Sequence, residues 1–373
     1  MCLNCKEQKT DASLKKLAST DFSALPKTVK APLDNPTTQE KIALGKLLFY
    51  DPILSGNKDV SCATCHHPAN GYAELLDLSI GVNGVGLSNE RHFRSPNTIP
   101  RLKRNAHSVL NAAFNGIDTE GKYRPENAPM FWDLRAESLE AQAILPIKTF
   151  EEMRGSTYTE ESILDEVLKR LQEIPEYQTL FKAAFNEEIS ITNIAKAIAA
   201  FERTLLSNNA RFDLYMRGDT NAISIAEKEG FEQFKKVGCA NCHKGPMFSD
   251  FKAHVLGVPE NKKLTSPDRG IKDTFAFRTP SLRNLRFTAP YMHNGSFNTL
   301  LEVLEFYEDI AFGNVKNHLV PKDKFDPFIP QLQLSVKEMS QIISFLNTLN
   351  DDHFDKEIPL AVPSGLPVGG NIQ

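Results

Sequence analysis

Two pentapeptides constrain this chain more than anything else in its sequence: Cys62-Ala63-Thr64-Cys65-His66 and Cys239-Ala240-Asn241-Cys242-His243. Three chemistries use paired cysteines. A disulfide framework suits short, cysteine-dense domains, but this chain has only 6 cysteines in 373 residues. Zinc would accept the Cys-x-x-Cys spacing, yet it requires no His directly after each second Cys. Covalent haem attachment uses all three residues: both thiols bond the porphyrin edge, and the His ligates the iron. The motifs therefore predict two covalently bound c-type haems. Cys62, Cys65 and His66 would hold one, and Cys239, Cys242 and His243 the other.

Attachment of this haem type takes place outside the cytoplasm, so a periplasmic or otherwise exported protein is expected. The start, Met1-Cys2-Leu3-Asn4-Cys5-Lys6, looks like the end of a lipoprotein signal, with Cys5 as the lipidated residue and anchor. The alternative is that Cys2 and Cys5 are incidental in a disordered leader. Residues 6–30 are polar and lysine-rich and read as a tether. No apolar run approaches the roughly 18–20 residues needed to cross a bilayer. A formal net charge of −4 gives no general attraction to nucleic acid or anionic membranes.

The periodicity predicts an all-α fold: two cytochrome c-like haem domains with long loops and few or no strands. An apolar stretch with helical spacing precedes each motif, Ile42–Phe49 in one case and Gly230–Phe234 in the other. Ser162–Leu171 and Ile189–Leu206 read as amphipathic helices, the second with Thr192 as N-cap. Leu300–Tyr307 and Ser335–Leu349 read as two more. The expected division is 1–30 leader, 31–207 first haem domain, 208–350 second haem domain and 351–373 an extended Pro- and Gly-rich tail, with residues 212–219 as the junction.

Beyond the haem motifs, several stretches across residues 36–350 resemble the bacterial di-haem cytochrome c peroxidases and their relative MauG. They are Leu44–Ser55, Val109–Asn115, Phe131–Ala136, Thr279–Leu285 and Thr288–Gly295. The resemblance implies that the N-terminal haem reacts with peroxide. It also implies that Trp132 lies between the haems, that Gln142 belongs to the distal pocket and that Glu152 is the distal acid–base carboxylate. It further implies one calcium ion between the domains, ligated by the Asn105 side chain and the Thr288 and Pro290 carbonyls; oxygen donors of this kind suit calcium.

The chain departs from the typical peroxidase pattern at four places. Typical members carry, at the position of Val82, a His that blocks the peroxide-reacting iron. Val cannot ligate iron, so an open resting site is expected; His67, His92 and His107 are nearby but are expected as loop residues. Typical members carry a Met ligand at the position of Tyr307, where MauG-like members have Tyr. An anionic oxygen there would lower the haem potential that a thioether raises. His107 stands where the family often has Pro, and Leu134 where it usually has Gly.

The leading expectation is a peroxidase that reduces hydrogen peroxide with electrons from a small cytochrome c or cupredoxin, entering through the C-terminal haem. The alternative is a MauG-like enzyme that oxidises residues of a partner protein. A pure electron-transfer cytochrome is disfavoured by Glu152, Gln142 and the missing ligand at Val82. A homodimer is an admissible assembly.

Overall fold

The computed structural model describes residues 21–372. Cys2 and Cys5 lie outside them. The described residues are mostly helical, and their only sheets are two antiparallel pairs, β1 (Gly84–Val85) with β2 (His92–Phe93) and β3 (Ala253–His254) with β4 (Phe277–Arg278).

The two halves are built alike, and each starts from a helix that leads into its haem motif. In the first half, α1 (Gln39–Tyr50) begins where the Thr38 hydroxyl accepts from the Lys41 N–H. It crosses α5 (Ile191–Glu202) so closely that a Cβ on Gly45 would lie 1.9 Å from the Ala197 carbonyl oxygen. Only glycine permits that approach. Leu44, Leu48, Phe49, Ile194, Ile198 and Phe201 fill the core around the crossing. Between these helices in sequence lie α2 (Leu139–Lys148), α3 (Ile163–Gln172) and α4 (Pro175–Phe185). In the second half, α7 (Ile225–Lys236) crosses α9 (Val336–Leu346), and a Cβ on Gly230 would lie 2.1 Å from the Gln341 carbonyl oxygen. Phe212, Phe231, Phe234, Phe248 and Phe345 form a cluster of edge-to-face and tilted ring pairs there. Two separate cores follow from two separate apolar patterns, and each stands beside one Cys-x-x-Cys-His.

One local expectation is corrected, and three segments make contacts that the sequence did not specify. The N-cap of α5 is Ser190, which accepts from the Asn193 N–H, and Thr192 lies inside the helix. The junction contains a short helix, α6 (Arg211–Met216), whose Asp213 is fully buried and paired with Arg283 at 2.6 Å. Within the supposed tether, Phe22 packs on Phe231 and Phe248, and the buried Leu25 donates its N–H to Asp213 at 2.9 Å. Apolar side chains at these two positions anchor the strand, despite its lysines. The C-terminal segment is extended but not free. Gly369 donates to the Tyr50 carbonyl at 2.8 Å and Asn371 to that of Asp59 at 2.9 Å. The Gly369 carbonyl in turn accepts from Thr64, inside the first haem motif, at 2.8 Å.

Candidate active site

A single cavity of about 640 Å³ is lined by both motifs, reaching from Cys62, Cys65 and His66 to Cys239, Cys242 and His243. None of the four thiols is in a disulfide. The His66 Nδ1 lies 3.2 Å from the Tyr72 carbonyl and the His243 Nδ1 lies 2.9 Å from that of Phe248. A carbonyl only accepts, so each Nδ1 carries the proton and each Nε2 keeps its lone pair for a metal. Unpaired thiols, a fixed tautomer and a largely apolar cavity fit haem at both places.

The first half of the cavity is shaped by the C-terminal end of α2. Pro146 has no N–H to give the carbonyl of Gln142, which loosens the helix at that point. The chain re-forms as a π-helical turn, Phe150–Arg154, with Arg154 donating to Thr149 and Gly155 to Phe150. Such turns often occur at functional sites. This one turns Glu152 toward the cavity, which Gln142 and Trp132 also line. Val82 is fully buried, and its N–H donates to the Glu152 carbonyl at 3.0 Å. The position at which the resemblance led to the expectation of an open site is thus packed against the turn that bears Glu152. Burial pushes the Glu152 carboxyl up to about 7; nearby Arg135 lowers it and Glu151 raises it.

In the second half, Thr299 and Glu302 form a reciprocal capping box that starts α8 (Leu300–Ala311). This helix runs four residues further than the apolar pattern suggested. Leu300, Val303, Leu304 and Tyr307 share one face and line the cavity. Burial, chiefly, pushes the Tyr307 phenol up, and Tyr307 packs on the same core as Cys239 of the second motif. Asn105, Thr288 and Pro290 also line the cavity. The Asn105 amide nitrogen donates to the Leu76 carbonyl at 2.7 Å.

The three spare histidines are accounted for. The His67 Nδ1 accepts from the Ala69 N–H, and His92 is exposed. His107 is in the cavity wall, but its ring lies on Trp132 with centroids 4.2 Å apart. Leu134 takes φ 61°, which explains the glycine usual there; a leucine pays roughly 1–2 kcal/mol in that left-handed region.

Sequence reasoning missed three groups. His254 faces Asp326 through Nδ1 and Asp250 through Nε2, the latter at 3.2 Å, with the Cys242 sulfur 3.7 Å away. Its hydrogen bonds, first to Asp250 and also to Asp326, hold the imidazole above its ordinary range. Burial raises Glu202 to about 8 near Cys62, and Glu74 to about 7 near Cys65. No short motif marks these residues: Glu202 lies far along the chain from Cys62, and Glu74 and His254 follow their motifs at no recognised spacing.

The family model described as di-haem cytochrome c peroxidase matches residues 39–221. The methylamine utilization protein MauG of Methylorubrum extorquens is 36% identical over 356 residues, which cover 93% of this chain and 89% of that protein. This chain belongs to the di-haem cytochrome c peroxidase and MauG family. The cytochrome c551 peroxidase of Nitrosomonas europaea is 31% identical over 337 residues, covering 88% of this chain and 85% of that one. A crystal structure of a MauG-like protein associated with microbial copper homeostasis aligns with TM-score 0.68 and 28% identity, over 88% of this chain and 95% of that one. As a member of this family, the protein is a peroxidase-type oxidoreductase that carries two haem groups.

Proposed function

We propose that the protein is an exported enzyme that reduces hydrogen peroxide to water at its first haem site, with electrons supplied by a small redox protein through the second. The observation that carries this reading is Glu152, a carboxyl raised to about 7 in the cavity wall on the π-helical turn held by Val82. When bound, the haem supplies the iron at which the peroxide O–O bond is broken. Glu152 takes the proton from the inner peroxide oxygen and delivers it to the outer one, so that water leaves. The Gln142 amide orients the peroxide by hydrogen bonding. Peroxide takes up two electrons and two protons in all and yields two waters. Trp132, held by its indole N–H on the Asn105 carbonyl at 2.9 Å, lies on the route between the sites.

A MauG-like reading, in which peroxide is used to oxidise residues of a partner protein, is favoured by Tyr307. The phenol replaces the neutral sulfur of typical peroxidases and would stabilise oxidised iron. Turnover with a reduced small cytochrome c, set against substoichiometric peroxide titration without a donor, separates the readings. Fast donor oxidation supports the peroxidase. Oxidising equivalents retained for minutes in donor-free protein support the MauG-like enzyme.

Both readings use covalent haems at Cys62/Cys65 and Cys239/Cys242 and a calcium ion at Asn105, Thr288 and Pro290. The expected composition is two irons and one calcium per chain, with both haems remaining on the chain in a denaturing gel. Haem lost to acid–acetone extraction would refute covalent attachment, and calcium-free holoprotein would refute the ion.

Val82 leads to a second expectation. Electron paramagnetic resonance of the ferric protein as isolated should contain a high-spin signal from the first haem, without prior reduction. A spectrum made up solely of two low-spin species would show that another side chain closes that face.

A further inference from the structure

The loop residue His107 occupies a place that the peroxidase chemistry above does not use. Its ring stacks on the single tryptophan, Trp132, with an interplanar angle of 28°. Its Nε2 accepts a hydrogen bond from the Arg278 guanidinium at 3.2 Å. A guanidinium only donates, so this nitrogen carries a lone pair and the ring is neutral. Arg278 is itself buried. It donates its Nε–H to the Phe131 carbonyl and its backbone N–H to the Trp132 carbonyl, both at 2.8 Å. One arginine from the second half therefore holds the backbone on both sides of the Trp132 peptide unit and the ring lying on the indole face. On its edge the indole meets His293, centroids 6.4 Å apart, and His293 stacks on Phe277 at 3.6 Å. His107, Trp132, Phe277 and His293 all line the cavity that joins the two haem sites.

A proline at position 107 could neither stack as an aromatic ring nor accept from Arg278. Imidazole does both, and it keeps the guanidinium charge from resting directly on the indole face. That matters for a ring that gives up an electron, because a cation in contact with it opposes the positive charge it would carry.

We infer that His107 is a positioning residue for Trp132: by stacking on the indole and accepting from Arg278, it fixes the ring between the haem sites and speeds electron passage across it. The inference rests on the reading of Trp132 as the crossing point. In each passage the indole gives one electron toward the first site and regains one from the second. It returns to its starting state with no net proton gained or lost. Peroxide is the oxidant and the donor protein the reductant.

The test uses the holoprotein and four variants: His107→Pro, His107→Phe, His107→Gln and Trp132→Phe. Electron passage between the haems is timed after rapid one-electron reduction. Ultraviolet resonance Raman of the lone tryptophan reports its environment, and spectroelectrochemistry gives both haem potentials. His107→Pro is expected to slow passage about tenfold, the size of one aromatic stacking interaction expressed in the barrier. It should also shift the tryptophan Raman bands and leave both haem potentials in place. His107→Phe keeps the stack and should recover most of the rate, whereas His107→Gln keeps an acceptor without the stack and should not. If Trp132→Phe slows passage while His107→Pro and His107→Phe leave rate and Raman bands as in the parent, the inference is overturned and the crossing point stands. If Trp132→Phe leaves the rate unchanged, the crossing point itself fails and the inference falls with it. Altered haem potentials in His107→Pro with a slow His107→Phe would assign His107 to the haem environment instead, which also overturns it.

Discussion

Replacing Glu152 by Gln is expected to slow the reaction of the holoenzyme with hydrogen peroxide by about 10²–10⁴-fold, the span that general acid–base groups contribute. The absorption spectra of both haems should barely change. The Glu152 backbone carbonyl, which receives the Val82 N–H, is what the fold uses, and that contact survives the substitution. The pH profile is a second signature. Burial raises the carboxyl to about 7, and only its ionised form can take the first proton. The wild-type rate should therefore climb as pH rises through about 7 and then level off, and the Gln variant should be flat over that range. The sign for stability is opposite. The folded state holds this proton more tightly than the unfolded chain, so Glu152 costs stability as pH rises from the ordinary carboxylate range through about 7. The Gln variant should lose less stability over that interval. Stopped-flow mixing with peroxide at several pH values decides the matter, and unchanged kinetics in the variant would remove Glu152 from the mechanism.

The substitution with the next largest expected effect is at Tyr307. If its phenolate ligates the second iron, Tyr307→Phe should open that site and convert a low-spin signal to high spin. Tyr307→Met should keep the site closed and raise its potential by a few tenths of a volt, within the roughly 0.8 V that axial ligands span. Neutral sulfur stabilises oxidised iron less than an anionic oxygen does. The phenol is pushed up by burial. Its conversion to phenolate would then depend on the metal's own charge. A donor-free protein that retains oxidising equivalents after peroxide should lose them in both variants. A low-spin signal unchanged in Tyr307→Phe would end the ligand assignment. Met292, which lines the cavity, would then be the sulfur to test, ahead of Met339, which is buried in the phenylalanine core.

The two Cys-x-x-Cys-His motifs were legible because the chemistry they imply is local: thiols and imidazole would have to be close along the chain to grip one ring. The helices that precede them were legible for the same reason, since Leu44, Leu48 and Phe49 repeat at the helical period before the first motif. Capping was read less well, because Ser190 and Thr192 are equally good candidates as residue types and only the backbone turn chooses between them. The family resemblance brought Glu152, Gln142 and Trp132 together. Periodicity alone would have left Glu152 as one of two adjacent acids at a helix end.

What the sequence by itself determined, then, is the number of haem sites, the helical class and the division into two apolar patterns, each a matter of short-range spacing. Tertiary structure decided everything that depends on which distant segments meet. Phe22 and Leu25 became anchors only because the second phenylalanine core and Asp213 offer them a surface. The C-terminal segment became a strap because the backbone groups of Tyr50 and Asp59 and the Thr64 hydroxyl were there to bond it. His254 is raised by Asp250 and Asp326, the latter far along the chain, and burial raises Glu202 and Glu74 because it disfavours the ionised form. His107, expected from the sequence only as a loop histidine where the family often has Pro, meets Arg278 and Trp132 only in the folded chain. Burial and charge pairing are properties of three-dimensional neighbours, and no spacing rule along the chain encodes them.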